Sequence, residues 1–93
     1  MKVVLEVEGG FYKDLAEFDQ IEQAKAFIKG YGLGKKHAKE RSRVPDISPN
    51  EAYVLGRNHA LEMKNTLEPL GLDAIKGYGA GEAMMKGTIK VVE

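Results

Sequence analysis

Hydrophobic and polar positions alternate at the start of the chain and settle into helical spacing soon after. Residues 2–8, KVVLEVE, are β-branched and alternate in their second half. Gly9-Gly10 offers a hairpin turn, because glycine adopts positive φ at no steric cost. Residues 11–18, FYKDLAEF, return as a second strand. A two-residue loop sets Glu6 opposite Lys13, Lys2 opposite Glu17 and Val4 opposite Leu15 on one face. Val3, Leu5, Val7, Tyr12 and Ala16 then form the core face. That register has one conflict: Asp14 falls on the core face, opposite Leu5.

Asp19 with Glu22 three positions on forms a capping-box pattern at a helix start. Ile21, Ala24, Phe27, Ile28 and Tyr31 follow at helical spacing, and Gly30 sits where a left-handed terminator belongs. These signals predict a short helix over 20–29. A second capping box, Ser48-Pro49-Asn50-Glu51, opens a longer helix over 49 to about 68, with Leu55, His59, Met63 and Leu67 on one stripe and Pro69 as the stop. Gly56 lies inside that helix at a cost of about 1 kcal/mol relative to Ala, which suggests close approach to another element. Strands are expected over 72–77 and 86–92. The predicted fold class is α+β, with a small antiparallel sheet in the order β-β-α-α-β-β and two main helices packed on one face. With 93 residues, a single domain spanning 1–93 is expected.

An apolar fraction of 43% and a charged fraction of 30% fit an ordinary globular core. The chain has no cysteine, which excludes disulfides, a thiol nucleophile and thiolate metal sites. Glu6 and Glu8 break the first apolar run, so it does not read as a signal peptide. No window approaches the ~20 apolar residues of a membrane span. A cytoplasmic protein without membrane contact is expected. Formal net charge is zero, but its distribution is uneven. Residues 1–22 carry two lysines against six acids, while the basic segment 35–43, KKHAKERSR, carries five bases against Glu40. Such separation orients a partner or aligns two copies.

The chain also repeats itself. IKGYGLGKKHAK at 28–39 and IKGYGAGEAMMK at 75–86 share seven of twelve positions. The G-x-G-x-G spacing is neither the dinucleotide fingerprint nor a phosphate loop, since no Gly-Lys-Ser/Thr follows. It reads as two chain reversals, the glycine turns 30–34 and 77–81, each with a tyrosine over its edge. If either copy binds something, the first does, because basic charge follows it. Lys29, Tyr31, Lys35, Lys36, Lys39, Arg41 and Arg43 are therefore the candidate partner- or anion-binding residues, with Lys76 and Tyr78 secondary.

Other chemistry is sparse. His37 and His59 are the only histidines and read as surface or half-buried. His59-x-x-Glu62 places an imidazole and a carboxylate on one helical face, without a visible third ligand. No metal, cofactor or catalytic residue is expected. Met63, Met84 and Met85 are candidates for an adaptable apolar surface. Residues 21–39, through Gly32-Leu33-Gly34, Lys36, Ala38 and Lys39, resemble the helix-turn-helix stretch of the C-terminal domain of the ribosomal stalk protein. That family uses the surface to recruit protein factors. Arg41 and Ser42 stand where its second helix requires apolar residues, and the hairpin has no counterpart there, so the family is not assigned.

The sequence thus points to a small non-enzymatic binding or regulatory protein, such as an inhibitor or adaptor. It would act through a protein partner or as a homodimer. The alternative is a nucleic-acid or phosphate-ligand binder using 35–43 and the glycine turns.

Overall fold

The computed structural model describes residues 1–7, 10–42, 47–84 and 86–93. Strands β1 (Lys2–Val7) and β2 (Phe11–Glu17) form the predicted hairpin. Helices α1 (Ile21–Ser42) and α2 (Pro49–Thr66) follow, then a 3₁₀ turn at Glu68–Leu70, helix α3 (Leu72–Ala83) and strand β3 (Thr88–Val92). The sheet is antiparallel throughout, in the order β2-β1-β3. The fold is α+β, with three described strands and three helices rather than the expected β-β-α-α-β-β order.

A β-bulge resolves the hairpin's conflict. Lys2 pairs with Glu17 and Val3 with Ala16, as expected, but Val4 then pairs with Asp14 and Leu5 with Lys13. Leu15 is the extra residue, so the positions of β2 before it, Phe11–Asp14, change face. Asp14 moves to the polar face, where it meets the Lys2 ammonium at 3.4 Å. Tyr12 moves there too, instead of facing the core, and lies beneath Lys90 at 5.1 Å. Across the turn Val7 pairs with Phe11, and the Gly10 amide donates to the Val7 carbonyl at 3.1 Å, with Gly10 at φ +90°. Its Gly9 lies outside the described residues.

The larger correction concerns the repeated motif. Neither copy is a turn: the first lies inside α1, which runs on through the basic segment, and the second lies inside α3, where a strand was expected. Gly30 does not end a helix. It continues one, because Gly30 and Gly34 of α1 sit against the backbone of α3, and Gly77 and Gly81 of α3 against the backbone of α1. A Cβ at Gly30 would overlap the Ala74 carbonyl oxygen, and one at Gly34 that of Tyr78. Reciprocally, a Cβ at Gly77 would overlap the Phe27 carbonyl, and one at Gly81 that of Tyr31. The contacts advance by four residues on both helices together, so α1 and α3 run parallel. Each set of contacts maps onto the other through the repeat. This is the small-xxx-small geometry that lets two backbones approach closely.

The core has two parts. Val3, Ala24 and Phe27 join the sheet to the first half of α1, with Phe18 tilted against Phe27 at 5.6 Å. Leu67, Ala74 and Tyr78 seal the end of α2 against α3. Helix α2 opens on Ser48, whose hydroxyl accepts the Glu51 amide at 3.2 Å, as the capping box requires. Of α2's residues only His59 is buried. The chain is a slab with extents of 45 × 34 × 11 Å. Its shortest axis is about a third of the next one.

Candidate functional site

The basic half of α1 places the predicted site residues along one helix, but only some of them face solvent. Gly32, Lys35, Lys36, Lys39 and Glu40 line an open groove. Lys29 is exposed one turn before it. Lys35 reaches across to donate to the Gly87 carbonyl at 3.0 Å. Lys36 pairs with Glu62 of α2 at 3.1 Å, and Arg41 pairs with Glu82 of α3. Lys39 is exposed on the groove wall, as is Lys76 on α3. Arg43 lies outside the described residues.

The two tyrosines are buried between the glycine helices instead of lying over a turn edge. Tyr31 donates to the Met84 carbonyl, and burial pushes its hydroxyl above the ordinary tyrosine range. Tyr78 meets His37 Nδ1 at 2.8 Å and is likewise pushed up, chiefly by burial. Met84 stands to Tyr78 as His37 stands to Tyr31, six residues on, so these two bonds repeat the pseudo-symmetry of the glycine contacts.

Beside this seam lies a cluster that the sequence reading did not anticipate. His37 and His59 stack with ring centroids 3.9 Å apart and planes 6° from parallel. Glu62 of α2 holds His37 Nε2 at 3.1 Å, and Glu40 of α1 holds His59 Nε2 at 2.6 Å. The exchange is reciprocal because α1 and α2 run antiparallel and each carries His-Ala-x-Glu, at 37–40 and 59–62. The signal was present in the sequence as HAKE and HALE. It does not read as a pair until the two helices are known to be neighbours. Both histidines are buried rather than surface or half-buried, His37 completely.

The bonding assigns the tautomers. An ionised carboxylate only accepts, so each Nε2 carries the hydrogen. In the neutral ring, His37 Nδ1 then accepts from the Tyr78 hydroxyl. His59 Nδ1 is left buried without a partner among the described residues. Glu40 is held below the ordinary carboxylate range, first by its hydrogen bond from His59. Glu62 is held down by the bonds from His37 and Lys36.

Comparison with protein-family models, with curated proteins and with solved structures gives no match for this chain. Its chemistry therefore has to be read from the geometry. Among the described residues, no group of three or more His, Asp or Glu side chains is arranged to hold a metal ion. No helix among them is long and apolar enough to cross a membrane. The carboxylates nearest the imidazoles are occupied as their hydrogen-bond acceptors, and the tyrosine hydroxyl is occupied as a donor. The cluster clasps α2 onto α1, and the basic groove and the outer side of α2 stay open.

Proposed function

We propose that this chain is a small non-enzymatic binding protein that acts through protein–protein contact, with a partner or with itself. The observation that carries the reading is the apolar surface that the shallow slab leaves uncovered. Stable domains bury their apolar faces between two packed layers. Here Tyr53 is 71% exposed, Leu61 47% and Leu72 63%, and nothing among the described residues covers them. A partner supplies that layer. The test is capture from a lysate of the source by immobilised chain, with the partner identified and binding measured with purified components. Saturable binding supports the reading. The absence of both a specific partner and self-association removes it.

A second reading rests on the groove lined by Lys35, Lys36 and Lys39, with Lys29 alongside. Among the described residues no carboxylate pairs with Lys29 or Lys39, so both ammonium groups are open to a phosphate. Retardation of a nucleic acid at low salt, lost in a Lys29→Ala/Lys39→Ala variant, would favour it. An unretarded probe at low salt would remove it.

A further inference from the structure

Helix α2 is clasped on one side and open on the others. Its clasped side is the histidine face. On a neighbouring side Ala52, Gly56 and Ala60 recur every four residues, and all three are exposed. A Cβ built at Gly56 would meet nothing within 4 Å. The close approach that Gly56 suggests is therefore not made inside the chain. An exposed glycine alone marks no interface, as Gly32 and Gly79 also face open space. The surroundings of this stripe distinguish it. It leads into an open groove of about 340 Å³ lined by Ala60, Met63, Lys64, Glu68 and Ile75. Tyr53, next to Ala52 in α2, and Leu72, three residues before Ile75 in α3, are exposed.

The geometry points to a second copy of this chain as the occupant: we infer an isologous dimer in which the α2–α3 groove of each copy receives apolar side chains of the other. This rests on the associating reading above and names its partner. Three observations select it. The chain exposes 6248 Å². The scaling of surface with mass gives about 5,300 Å² for a compact monomer of this size, so the excess is roughly 900 Å². A standard interface buries about 800 Å² per partner, so one copy covering one face accounts for the excess. Formal net charge is zero, so two copies do not repel at long range. Finally, the charged walls of the groove among the described residues are of opposite sign, Lys64 and Glu68. A two-fold contact brings residue i of one copy to residue j of the other and j to i, so each Lys64 can meet the other copy's Glu68.

The test is molar mass by light scattering across a wide concentration range, on the full chain. The expected result is a dimer. Ile75 is 41% exposed, and Ile75→Asp places a charge in the groove without entering the core. It should weaken dimerisation at least about thirtyfold, the scale of an interface hot spot, with helical circular dichroism unchanged. A second arm uses charge. Lys64→Glu should weaken the dimer, and Lys64→Glu/Glu68→Lys should restore it. Three outcomes overturn the inference: a monomeric wild-type chain, a dimer indifferent to Ile75→Asp, or a double variant no tighter than Lys64→Glu. If the chain is monomeric yet captures another protein, the wider binding reading survives and the dimer does not.

Discussion

His37 and His59 lie face to face at 3.9 Å, each bonded through Nε2 to the glutamate that stands three residues after the other. Few other contacts hold α2 to α1, because α2 buries no other residue. His37→Ala removes a fully buried ring with bonds to Glu62 and Tyr78. It should cost about 2–4 kcal/mol in denaturant unfolding, the range for losing a buried, bonded group together with its volume. A cost below ~1 kcal/mol would mean that the stack does not hold α2.

The clasp gives a pH dependence whose direction follows from the two carboxyls. Glu40 and Glu62 are depressed in the folded chain, so the unfolded chain binds protons first as acid is added. Their contribution is fully present above the ordinary glutamate range. It is lost as pH falls through that range to the lower folded values. Thermal melts across this window should show a falling midpoint. Glu40→Gln/Glu62→Gln should flatten the fall. An equal slope in wild type and variant would place the acid sensitivity elsewhere.

The glycine seam predicts effects of opposite sign from one substitution type. Gly34→Ala and Gly81→Ala drive a Cβ into a carbonyl of the facing helix, which cannot move away as a side chain could. Each should destabilise by about 2 kcal/mol or more, against the usual helical gain from Ala. Gly32→Ala meets open space in the same helix and should stabilise by up to about 1 kcal/mol. Equilibrium unfolding of the three variants decides it.

The tyrosines should differ despite their equivalent places in the repeat. Tyr78→Phe strips the buried His37 Nδ1 of its donor and should cost about 1–3 kcal/mol. Tyr31→Phe releases the carbonyl of the half-buried Met84 and should cost about 0.5–1.5 kcal/mol. Equal losses in urea unfolding would show that His37 finds another donor.

The hairpin, the Ser48 capping box, the long second helix and the last strand were all legible in the sequence. Each is signalled by neighbours within a few residues: alternation, a cap, a proline, a β-branched run. The candidate site was legible only as a basic stretch. Lys35, Lys36 and Arg41 carry its charge, but the structure engages them with Gly87, Glu62 and Glu82. Lys29 and Lys39 remain on the surface.

The doubled IKGYGxG shows where local reading ends. By itself the sequence determined that the two segments share a chemistry, a glycine at every second position with a tyrosine after the first. Locally, glycine disfavours a helix, so two turns were the consistent expectation. Only the tertiary structure decided that both are helices. The absence of side chains at Gly30, Gly34, Gly77 and Gly81 lets two backbones touch, and close packing across that seam outweighs the weak helix propensity along it. HAKE and HALE follow the same logic. The sequence places a histidine and a glutamate one turn apart on each helix, and the antiparallel meeting of α1 and α2 makes them a reciprocal pair.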